Sequence, residues 1–140
     1  MPLFEQAVAR DPKYAEAHAA LGEALSTSVF HQVRPDAAKL ERARAELQRA
    51  LDLDPGLSGA QATLSWLQFF HDHDWRRAEP GFRRALAINP NDARAHDGYA
   101  LALAARRRFH EAVEHVQQAV RLDPVRYLAT NDLGTVLYLA

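Results

Sequence analysis

The chain has 140 residues, 48% of them hydrophobic, and a formal net charge of −1, which suits one domain with a continuous core and argues against the phosphate attraction of a nucleic-acid binder. No apolar run is long enough to span a bilayer, and Met1-Pro2-Leu3-Phe4-Glu5 lacks the basic-then-apolar order of a signal segment. The absence of cysteine excludes disulfides, thiolate metal sites and a cysteine nucleophile, and the cytoplasm is the default compartment.

One spacing organises the chain. An alanine is followed five residues later by a proline at Ala7 and Pro12, Ala50 and Pro55, Ala85 and Pro90, and Ala119 and Pro124; the prolines lie 43, 35 and 34 residues apart. A period near 34 belongs to stacked helical hairpins. Residues 2–12 read as the second helix of a partial unit, with Phe4 and Ala7 on one face. Residues 15–57 form a full unit, with the bulky-then-small pair Leu21-Gly22 in its first helix and Ala43, Leu47 and Ala50 in its second. Nine extra residues near 26–35, ending Val33-Arg34-Pro35, predict a longer loop able to carry binding residues, with Asp36 capping a lengthened second helix.

Residues 58–92 and 93–126 repeat the pattern with Leu64-Ser65 and Tyr99-Ala100 in the first helices, then Ala78, Phe82, Ala85 and Ala112, Val116, Ala119 in the second. Spacings of 3, 4 and 7 place each set on one helical face. Small residues let the two helices approach, and proline ends the second of them. Ser58 and Asp92 are candidate caps, and Pro80-Gly81 predicts a late start or a kink between Arg77 and Pro80. Residues 127–140, with Leu133-Gly134, read as a first helix alone. The fold class is therefore an all-α solenoid of antiparallel hairpins with about eight helices in a single domain. The apolar end, Leu133, Val136, Leu137, Tyr138 and Leu139, leads us to expect self-association or a longer parent chain.

With small residues at the eighth, twentieth and twenty-seventh places and proline at the thirty-second, essentially the whole chain resembles the tetratricopeptide repeat. That resemblance implies a right-handed superhelix acting as a protein- or peptide-binding scaffold, with no cofactor and no enzyme activity. It also implies a concave groove lined by first helices: Glu16, Ala19, Ala20 and Glu23; Ala62, Thr63, Trp66 and Phe70; Arg94, Asp97, Gly98, Leu101 and Ala105; Asn131, Asp132, Thr135 and Tyr138. The family's carboxylate-clamp positions hold Ala, Asp, Glu, Trp and Leu, so the grip on a chaperone C-terminus is not expected. An apolar floor of Trp66, Phe70, Leu101 and Tyr138 flanked by acids instead suits an amphipathic or extended peptide with apolar and basic side chains. Packing between hairpins accounts for Trp66 and Phe70 equally well. The wording Asp74-Trp75, Phe82-Arg83-Arg84-Ala85-Leu86 and Asp132-Leu133-Gly134-Thr135-Val136-Leu137-Tyr138 also resembles repeats of large bacterial signalling proteins, where they follow winged-helix, kinase or cyclase domains. A regulatory or sensory segment of such a protein is the alternative function.

His71-Asp72-His73-Asp74 is the one segment with metal-ligand residue types, and a metal-dependent enzyme using His71 and His73 is the remote alternative; a solvated turn is the simpler account. His18 and His96 occupy equivalent places, which points to packing, while His110 and His115 lie five apart, a poor spacing for a shared ligand. No nucleophile triad, phosphate-cradling loop or paired-carboxylate pocket can be assembled. Arg106, Arg107 and Arg108 in one hairpin turn and Arg76 and Arg77 in the neighbouring unit should share an edge, opposite one carrying Asp11, Asp52, Asp54, Asp92 and Asp123. Solvated turns explain this pattern, and an acidic partner or self-association is the sharper reading.

Overall fold

A computed structural model describes residues 2–30, 32–125, 134, 135, 137 and 138. It contains seven helices among the described residues: α1 (Pro2–Arg10), α2 (Ala15–Phe30), α3 (Ala37–Leu53), α4 (Ser58–Phe70), α5 (Trp75–Ile88), α6 (Ala93–Ala105) and α7 (Phe109–Leu122). Helices α2 and α3, α4 and α5, and α6 and α7 pack as hairpins, and α2, α4 and α6 lie side by side along one wall. The chain is an all-helical solenoid. Of the last predicted helix, residues 134, 135, 137 and 138 are helical, and the rest of 127–140 lies outside the described residues.

The repeated alanines explain the close approach of the helices. Ala43, Ala50, Ala78, Ala85, Ala112 and Ala119 are all fully buried, and Leu47, Phe82 and Val116 fill the space between them. One apolar cluster joins α2, α3 and α4, a second joins α5, α6 and α7, and half-buried Trp66 packs on both. A methyl group on Gly22 would come within 2.6 Å of Leu47 Cγ, and one on Gly81 would overlap Ser65 Oγ, so each glycine marks a point of near-contact between paired helices.

Three local expectations change. The insertion near 26–35 builds mostly helix: α2 has 16 residues against 13 in α4 and α6, and α3 has 17 against 14 in α5 and α7. The added turns bury Val29 and Leu40, so extending both helices gains core that a projecting loop would not. Asp36 caps α3 by accepting from the amides of Ala38 and Lys39. Helix α5 starts at Trp75 and runs through Pro80, capped by the Asp74 carboxylate. The amide that Pro80 lacks would have bonded the Arg76 carbonyl, and both residues lie on the exposed face of the helix, where a lost backbone bond costs least. Ser58 is the first residue of α4 rather than its cap, and its hydroxyl donates at 3.1 Å to Asp92, which in turn caps α6 through Ala95.

Candidate functional site

Along the wall of first helices the groove residues form two rows two turns apart. In the first row Glu23 of α2 accepts a hydrogen bond at 3.0 Å from Arg94 of α6, 71 residues away. Gly59 of α4 lies beneath this pair: a Cβ there would come within 3.1 Å of both Arg94 Nη2 and Glu23 Oε1. The missing side chain thus lets the bridge cross a whole hairpin. In the second row Trp66 is half-buried, its ring stacked on Phe70 with centroids 4.8 Å apart and tilted against Phe30 at 5.0 Å. Gly98 of α6 makes room for Trp66 and Phe82, each 3.2 Å from where its Cβ would stand. Trp66 therefore serves both the core and the surface, and Phe30, 45% exposed at the end of α2, continues the aromatic shelf outward. Phe30 sits in the inserted turn, so spacing from the shorter repeats did not reveal it.

The remaining groove candidates divide by burial. Glu16 is exposed; Thr63 is half-buried and bonds the carbonyl of Gly59; Leu101 is half-buried; Asp97 is buried. Thr135 and Tyr138 are exposed, while Asn131 and Asp132 lie outside the described residues. Asp97 is buried and Glu23 is held by Arg94, so among the described acids of the expected flank Glu16 is the one left open to a ligand. A polar hollow beside this wall, lined by Ser58, Asn89, Asn91 and Arg94, was not anticipated.

The histidines define a recurring internal slot. His18 Nε2–H donates to the Pro12 carbonyl at 3.1 Å, and its Nδ1 meets Glu46 at 2.6 Å. In the third hairpin His96 Nε2–H donates to the Pro90 carbonyl at 2.8 Å, and its Nδ1 meets His115 Nδ1 at 2.9 Å. Burial and the neighbouring His96 hold the His115 imidazole below its ordinary pKa. His71 ends α4 with its ring edge against Trp66, and burial and then Arg44 lower its pKa. His73, exposed and at φ 55, occupies the turn. Among the described residues no group of three or more His, Cys, Asp or Glu could hold a metal ion.

The arginine edge is partly neutralised. Arg108 donates to Glu79 at 2.6 Å and to Glu111 at 2.8 Å, and those carboxylates raise its pKa. Glu79 is pushed up by burial, but bonds from Arg108 and Tyr99 bring it below the usual carboxylate range. Arg77 faces Asp74 at 3.4 Å. Arg76, Arg106 and Arg107 are exposed, and among the described residues they enter no ion pair.

A tetratricopeptide repeat model matches residues 69–126 and 99–140, half of the chain. The chain belongs to the tetratricopeptide repeat family. Its repeats are 31% identical over 98 residues to the type IV pilus assembly protein PilF of Pseudomonas aeruginosa, covering 69% of this chain and 38% of that protein. The solved structure of P. aeruginosa PilF superposes with a TM-score of 0.72 at 26% identity, covering 93% of this chain and 55% of that one. The first tetratricopeptide domain of RPAP3, solved with an HSP90 peptide, superposes with a TM-score of 0.66 at 21% identity, covering 86% and 91%. This chain spans less than two thirds of its pilus-assembly relative. No helix among its described residues is long and apolar enough to cross a membrane.

Proposed function

We propose that this tetratricopeptide domain is a protein-binding scaffold, without catalysis of its own, that holds a peptide or helix of a partner against the wall formed by α2, α4 and α6. The observation that carries the reading is the aromatic shelf. Phe30, Trp66 and Phe70 form one contiguous surface, opened on α2 by the 45% exposure of Phe30. Contiguous apolar area beside a polar row is the arrangement in which a few large side chains supply most of the affinity. The HSP90 peptide held by the RPAP3 domain and the assembly role in PilF's name are in keeping with a scaffold.

Peptides selected from a random library for binding to the whole chain test the reading. Phe30→Ser, at an exposed site, and Trp66→Ala should each weaken the selected peptides about tenfold or more, while Arg84→Ala on the exposed face of α5 should not. Selected peptides that bind Phe30→Ser and Trp66→Ala as tightly as the original chain would place recognition elsewhere.

A further inference from the structure

A second surface, on the edge where the second and third hairpins turn, has its own chemistry. Trp75 opens α5, and the guanidinium carbons of Arg106 and Arg108 each lie 5.8 Å from the centroid of its ring. The two arginines differ in what else they do. Arg108 spends its donors inward on Glu79 and Glu111, whereas Arg106 touches only the ring among these groups and keeps its N–H donors toward solvent. Arg107, between them, and Arg76, following Trp75, are also exposed.

The acids on this edge are committed. Glu79 takes Arg83, Arg108 and the Tyr99 hydroxyl; Glu111 takes Arg108; Asp74 caps α5 and faces Arg77. What remains uncompensated is Arg106 over the Trp75 ring, with exposed Arg107 and Arg76 on the same edge, in a chain whose net charge is −1. The positive charge is therefore local rather than a general property of the surface. Arg107 adds a backbone observation: it stands at φ 62, the left-handed position closing α6, where glycine sits at lower cost.

We propose that Arg106, over the Trp75 ring, and the exposed Arg76 and Arg107 next to Trp75 and Arg106 in the chain form a docking site for an acidic segment of a partner protein, separate from the groove. Arginine forks pair with carboxylates two donors at a time, and a guanidinium already held over an indole by cation–π attraction loses less freedom when it does so. The compact patch fits a short run of Asp and Glu side chains better than the long phosphate track of a nucleic acid, which needs an extended basic stripe.

A ten-residue polyglutamate peptide titrated into the whole chain tests this, with Trp75 fluorescence as the reporter and Trp75→Phe as the control for the signal. Binding should be seen at low salt and weaken about tenfold between 50 and 200 mM salt. Arg106→Gln with Arg107→Gly should weaken it about tenfold again. Arg107→Gly alone should weaken binding while raising the melting temperature, because it removes a charge and relieves the left-handed backbone. That pairing separates lost contact from lost folding. The proposal is overturned by absence of binding at low salt, by unchanged affinity in the double variant, or by tighter binding of an oligothymidylate of equal charge. Salt-sensitive self-association abolished by the same variants would make the occupant a second copy and equally overturn it.

Discussion

The first and third hairpins place the same histidine on the same proline carbonyl and then differ in what they offer its second nitrogen. His18 meets a carboxylate, Glu46, whereas His96 meets another imidazole, His115. The second hairpin fills the equivalent slot with Gln61 and Gly81, so close that a methyl group on Gly81 would come within 2.9 Å of the Gln61 amide nitrogen. One position in the repeat thus carries an imidazole–carboxylate pair, an imidazole–imidazole pair and a steric contact. The lesson is that equivalent packing does not imply equivalent electrostatics. A carboxylate welcomes a proton on the ring beside it, while two imidazoles share one proton comfortably and two badly.

Substitutions sharpen that comparison, beginning with the steric version. Gly81→Leu should cost about 3 kcal/mol in urea denaturation, because the new side chain has only Ser65 and Gln61 to displace. An unchanged midpoint would mean that the second slot is not closed. Copying the first hairpin into the third with His115→Glu should gain about 1–2 kcal/mol at pH 6, where a charge-assisted bond replaces the imidazole pair. In the unmodified chain His115 titrates lower when folded than its ordinary value near 6.5. Between those two values the unfolded chain binds more protons, so stability is complete above about pH 6.5 and is lost as pH falls toward the folded value. His71, also lowered, contributes with the same sign. The useful readout is therefore the difference in slope between the unmodified chain and His115→Glu, and parallel slopes would remove His115 from the account. At the smallest end, Glu23→Gln should cost about 0.5 kcal/mol, since its partner Arg94 is half-exposed.

Much of the fold was legible because the buried alanines recur at fixed distances from proline and nothing but close helix packing requires that. The equivalence of His18 and His96 was legible for the same reason. Their partners were not: Glu46 and His115 lie on the opposite helix, and choosing them needs the register across the hairpin rather than spacing within one helix. Pro80 misled as to a late start of α5, because propensity charges for a lost hydrogen bond without knowing that Arg76 and Pro80 both lie on an exposed face. Trp66 shows why the candidate site resisted a clean reading from sequence. Its neighbours are the core on one side and Phe30 on the other, and Phe30 belongs to an added turn that the shorter repeats lack.

The bridge over Gly59 changes how the repeats should lose their structure. A stack whose units touch only their neighbours behaves as a one-dimensional array, each unit responding to the state of the one beside it. Glu23 and Arg94 add a rung that skips a unit, joining the first hairpin directly to the third. Fraying of the first hairpin is then felt in the third without passing through the second, so a nearest-neighbour description of unfolding needs one additional coupling, weak and erased by salt.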